Sequence, residues 1–215
     1  MSAALIRLSM MLSPAFPVGG FAYSAGLERA AADGLVRDAD GLRDWLAASL
    51  VHGPAWNDAV LFAEAHRRAS FGAPLGDLHE LALALAGSAG RHAETAGQGA
   101  SFAEAASILD AKTADGVHAY AVAVGETAGG TAISLDIALP LFLAAWASNL
   151  VQIAIRLSVV GQNGGISALA VLEPLIAETA SRAASSNLDD LGACATIMDI
   201  AAMNHETMTT RLFRS

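Results

Sequence analysis

The sequence predicts an all-α fold: a single domain built as a bundle of about eight to ten helices around a buried central helix. Three observations lead there. About fifty of the 215 residues are alanine, the strongest helix former. Aromatic residues make up only 6%, β-branched runs are scarce, and no stretch alternates apolar and polar residues long enough to specify a strand. Ile137 to Ile155 is an uncharged run, along which Leu139, Leu143, Trp146, Leu150, Ile153 and then Leu157 recur at spacings of three and four.

Taken in order, Ala3 to Leu12 predicts a short helix, stopped by Ser13-Pro14 and by Pro17-Val18-Gly19-Gly20. Phe21 to Ala32 restarts it. Asp38 or Asp40 caps a helix with Leu42, Trp45, Leu46, Ser49 and Leu50 on one face, and Gly53-Pro54 closes it. Asn57 or Asp58 opens the next, which runs to Arg68. Asp77 to Ala86 and Arg91 to Leu109 follow, parted by Gly87 to Gly90, and the stretch around Gly125 to Gly130 reads as a further break. Gly161-Gln162-Asn163-Gly164-Gly165 interrupts the central helix, and Ile166 to Ala184 resumes with Pro174 as a kink or restart. Asn187 is expected to cap the last helix, with Asp189 and Asp190 at its positive end and Leu191, Ala195, Met198 and Ala202 facing inward.

The central run is about as long as a bilayer span requires. Ser148, Asn149, Gln152 and Arg156 nevertheless gather on one side of it, Pro140 stands near its start, and neither flank is basic, so a buried helix is expected rather than a lipid-facing one. The apolar run Leu8 to Leu12 is too short for a secretory leader. With a single cysteine, Cys194, no internal disulfide framework can form. The expected setting is cytoplasmic, with no membrane partner.

A formal net charge of −9 disfavours nucleic acid as a partner, because phosphate neutralisation needs a basic stripe. Nucleotide hydrolysis lacks its loop: Lys112-Thr113 is the one Lys-Thr pair, with Ala106 and Ala111 where glycines belong. Gly97-Gln98-Gly99 opens a dinucleotide spacing that ends in Phe102. His205-Glu206 opens a zinc-protease spacing in which Thr209 replaces the second histidine. His52, His66, His79, His92 and His118 are scattered and expected at the surface or at helix ends, while Cys194 and Met198 are expected to pack in the core. No nucleophile turn stands out. Only 15% of residues are charged, so the helices expose apolar faces suited to contact with other chains. A helical enzyme with an unrecognised interhelical pocket is the alternative.

Three segments carry a family resemblance. Ser13-Pro14-Ala15-Phe16-Pro17-Val18-Gly19-Gly20-Phe21-Ala22-Tyr23-Ser24-Ala25-Gly26-Leu27-Glu28 resembles the opening motif of the urease accessory protein UreF family. Ala154 to Gln162 is similar to that family's arginine-leucine to glycine-glutamine segment, and His205-Glu206-Thr207 with Arg211-Leu212-Phe213-Arg214-Ser215 is similar to its C-terminal signature. Asp58, Glu94 and Gly99 fall at weaker matches. The chain departs from the pattern at Val159-Val160, where the family has proline-leucine, and at Met208-Thr209, where it has glutamine and an aromatic.

The resemblance implies an all-helical protein, expected as a homodimer, that helps install nickel in apo-urease. In that family the protein joins the accessory protein UreD or UreH and the GTPase UreG. GTP hydrolysis belongs to UreG, and another accessory protein, E, helps supply nickel. No catalytic or metal residue and no firmly bound cofactor is then expected here, the nickel being handled by the assembled complex.

Partner-binding residues follow from the same motifs. Pro17, Gly19 and Gly20 shape a loop, either to present Phe21 and Tyr23 or as a plain turn. Glu28 closes that motif, and His205 and Glu206 open the C-terminal one. Arg156 pairs with a carboxylate across an interface or within the fold. Gln162, beside Gly161, either meets a partner's switch region or caps a helix. Residues 209–215 form a tail beyond the helical domain 1–208, either a frayed end or a segment that orders on UreD/UreH. In the second case Phe213, flanked by Leu212, fills an apolar pocket while Arg211 and Arg214 find carboxylates.

Overall fold

The computed structural model describes residues 3–111, 113 and 115–215. Lys112 of the Lys-Thr pair lies outside them. Ten α-helices and no strand occur among the described residues: α1 Ala3–Met11, α2 Leu27–Ala32, α3 Ala39–His52, α4 Pro54–Ser70, α5 Gly76–Ala84, α6 Ala89–Ser107, α7 Tyr120–Gly130, α8 Leu135–Arg156, α9 Gln162–Ala184 and α10 Thr196–His205.

α8 is the expected central helix. Leu139, Leu143, Leu150 and Ile153 of its seam are buried, and Trp146 and Leu157 pack against the same core. Its polar side is met by protein: Asn149 donates to the Gly20 carbonyl at 3.1 Å and Arg156 to that of Phe21 at 2.9 Å. Among the described residues α8 alone is long and apolar enough to cross a membrane, and half of its most apolar stretch is buried within the fold.

The glycines around 125 to 130 do not break the chain; they lie inside α7. α4 and α7 form the most extensive helix pair because Gly125 and Gly129 let the two backbones touch. A Cβ at Gly125 would meet the Phe62 carbonyl oxygen at 2.5 Å, and one at Gly129 would sit even nearer that of His66. Tertiary approach overrides the local propensity that made these residues look like a turn.

Other boundaries shift for similar reasons. The restart expected at Phe21 is a single 3₁₀ turn, Gly20–Ala22, followed by the short α2. The interruption after α8 falls at residues 157–161, with Gly164 and Gly165 inside α9, where Gly165 packs on Val151 and Ile155. Pro174 is accommodated within α9. Asn187 caps the 3₁₀ turn Leu188–Asp190 through a reciprocal capping box, so the last helix begins only at Thr196. Met198 and Ala201, with His205, form its inward side.

Two histidines expected outside are buried. His66 Nε2 bonds the Ile133 carbonyl at 2.7 Å, and His79 Nδ1 accepts from the Ala119 amide at 3.0 Å, each tying off an interhelical backbone group. Cys194, expected in the core, is exposed and donates to Asp199 at 3.1 Å, because the chain before α10 is extended rather than helical.

Candidate functional site

The two ends of the chain meet. Gly26, at φ 79°, starts α2 so close to α10 that a Cβ there would lie 2.9 Å from the Ala202 amide nitrogen. This approach sets Glu28, on α2, beside His205, the last residue of α10. His205 Nε2 lies 2.8 Å from Glu28 Oε2, and with a carboxylate as acceptor the ring proton sits on Nε2. Glu28 Oε1 also accepts from the Leu212 amide at 2.7 Å, and Oε2 from that of Phe213 at 3.2 Å. One buried carboxylate therefore captures a side chain and two tail amides, three donors that would otherwise be unsatisfied.

Past this clamp the tail runs along residues 22–24. The Arg214 amide donates to the Ala22 carbonyl at 2.7 Å and the Ser24 amide to that of Ser215 at 2.6 Å. The Ser24 hydroxyl also donates to the Ser215 carbonyl. Side chains alternate. Phe213, 3% exposed, and Ser215 point inward, whereas Arg211, Leu212 and Arg214 are exposed, Leu212 at 69%. Arg156 stacks on the Phe213 ring, its guanidinium carbon 4.7 Å from the centroid, while holding the Phe21 carbonyl. Glu206 accepts from the Gly90 amide at 3.2 Å.

Beneath the tail is a charged group that the sequence hinted at only through Asp58 and Glu94. Arg91 joins them: it pairs with Asp58 of α4 and, at 3.3 Å, with Glu94 one turn along α6. Burial opposes the Arg91 charge, but Asp58 and Glu94 outweigh it and hold the guanidinium's pKa above its usual value. Burial pushes the Glu94 carboxyl up; Arg91 opposes the rise and Asp58 adds to it. The Ser215 hydroxyl reaches Glu94 at 3.3 Å and links this group to the tail. Arg91 itself carried no motif, and the only signal for it was its spacing of three from Glu94.

The candidates singled out in the sequence thus divide into three groups. Phe21, Arg156, Glu206, Arg211, Leu212 and Arg214 are exposed around the docked tail, with Glu28, His205 and Phe213 buried beneath it. Pro17, Gly19 and Gly20 belong to the adjoining loop, Gly19 at φ 70°, and Tyr23 is turned inward rather than presented. Gly161 and Gln162 are exposed at the start of α9, where the Gln162 side chain makes no hydrogen bond among the described residues and so caps nothing. The tail, expected either as a frayed end or as a segment that orders on UreD/UreH, here seats Phe213 in its own chain, because Glu28 supplies the acceptors its amides need. No group of three or more His, Cys, Asp or Glu is placed to hold a metal ion among the described residues.

The family model UreF matches residues 36–173. The urease accessory protein UreF of Mesorhizobium japonicum is 55% identical over 219 residues, covering 100% of this chain and 97% of that protein. The urease accessory protein UreF 1 of Brucella canis is 52% identical over 217 residues, covering 100% and 95%, and UreF of Rhizobium etli is 53% identical over 215 residues, covering 99% and 96%. With a family model over more than half its length and relatives aligned end to end, the chain belongs to the urease accessory protein UreF family.

Proposed function

We propose that this protein acts in urease maturation as a scaffold and regulator without an active site of its own. As a homodimer in the cytoplasm, it joins UreD/UreH and the GTPase UreG in a complex that inserts nickel into apo-urease at the expense of GTP hydrolysis by UreG. The single observation carrying this reading is the docked tail: Arg156, Arg211, Leu212 and Arg214 stand exposed around it while Glu28 and His205 clamp it from beneath. An exposed leucine between arginines that make no ion pair among the described residues suits an apolar, acidic patch on another protein. Gln162 and Gly161 offer a second exposed contact point, toward UreG.

The test is co-purification of the full chain with UreD/UreH and UreG, followed by urease activation. Leu212→Asp combined with Arg214→Ala is expected to abolish capture of at least one partner and urease activation while helical circular dichroism stays unchanged. Normal capture and activation by that variant would overturn the reading.

A further inference from the structure

The loop from Met11 to Phe21 closes over a cavity of about 260 Å³, walled otherwise by α4, α6, α7 and α8. Five aromatic residues line it: Phe16, Phe21, Tyr120, Phe142 and Trp146. Its charged lining is Asp58, Arg91 and Glu94, and the same three side chains also line a second cavity of about 240 Å³. Such a chamber, mostly apolar with a few convergent polar groups, has the character of a small-molecule site.

The charges decide what it would take. Two carboxylates face one guanidinium, so with all three ionised the group carries 1 − 2 = −1. Buried charge needs a partner; burial first, with Asp58 adding to it, pushes the Glu94 carboxyl up. The one cationic side chain of the lining, Arg91, is already paired with both carboxylates, which disfavours an anion. A metal ion finds only two carboxylates, both already paired with Arg91, and no histidine or cysteine in the lining. A neutral apolar molecule leaves the charge uncorrected. An organic cation supplies the missing charge and meets ring faces that favour it.

We propose that this cavity binds a small arylalkylammonium ion, with its ammonium group against Glu94 and its ring among Phe16, Tyr120, Phe142 and Trp146. A benzene-sized cavity is near 150 Å³, so a ligand of about ten non-hydrogen atoms fits.

Isothermal titration of the full chain tests it, with phenethylammonium chloride, its neutral isostere 2-phenylethanol, and nickel chloride alone as probes. Phenethylammonium is expected to bind at least ~10-fold more tightly than the alcohol, a difference of one pKa unit's worth of interaction. Glu94→Gln is expected to remove that preference. Trp146→Leu, which leaves the charges in place, is expected to weaken both organic probes together and serves if the first variant fails to fold. Equal binding of ammonium and alcohol, no heat from phenethylammonium at millimolar concentration, or displacement of bound phenethylammonium by nickel would each overturn the proposal.

Discussion

His205 Nε2 and Glu28 Oε2 lie 2.8 Å apart across 177 residues of chain, both buried. This contact decides where the tail goes. Glu28 can hold the Leu212 and Phe213 amides only because α10 ends beside α2, and α10 ends there because Gly26 admits Ala202.

Glu28→Gln leaves one side-chain oxygen and replaces a charged acceptor with a neutral one. Hydrogen bonds to charged groups are worth about 1.5–3 kcal/mol, so the Leu212 and Phe213 amides are expected to lose protection by roughly that free energy in hydrogen exchange. The amides of α4 and α7 are expected to keep theirs, since the tail can detach without opening the core.

Phe213→Ala removes the ring that sits under Arg156. Deleting a buried phenylalanine costs about 3–5 kcal/mol where the site cannot collapse, but at a chain end the cost is met by release of the segment. Tryptic cleavage after Arg211 is expected to accelerate at least ~10-fold with the thermal midpoint little changed.

Gly125→Ala drives a methyl group into the Phe62 carbonyl. Overpacking of this kind costs about 1–3 kcal/mol, so a fall of roughly 3–10 °C in the thermal midpoint is expected by calorimetry. Gly130→Ala, with open space at its Cβ, is the matched control and is expected to change the midpoint little.

Glu94 has a native pKa raised above its unfolded value, first by burial. The folded state therefore binds the proton more tightly, and Glu94's contribution to stability is fully present below the unfolded pKa and lost as pH rises through the folded one. Glu94→Gln is expected to flatten the decline in stability above pH ~4.5 measured by urea titration at several pH values. Glu64 behaves oppositely: burial raises its pKa, but hydrogen bonds from Arg68 and Arg67 outweigh that and lower it. Its contribution is present above the unfolded value and lost on acidification.

The class of fold and the central helix were legible because alanine content and a three-four apolar seam are properties of contiguous sequence. Leu139, Leu143, Leu150 and Ile153 are buried as their spacing requires. Gly125 and Gly129 were misread because a glycine that admits a neighbouring helix looks, locally, the same as one that ends its own. At the candidate site, Glu28, Arg156, His205 and Phe213 were visible as members of separate motifs, but not their meeting. Arg91 was visible only through its spacing of three from Glu94, since its main partner is Asp58, 33 positions away. Sequence periodicity reports which face is apolar; it does not report which distant carboxylate a guanidinium will find.

The backbone contact between α4 and α7 leaves no cushion of side chains at Gly125 and Gly129, so those helices cannot slide or roll past one another without colliding. The pair acts as a stiff keel, and any reshaping that accompanies assembly must be confined to the strap-like segments lying across it, residues 12–26 and 206–215.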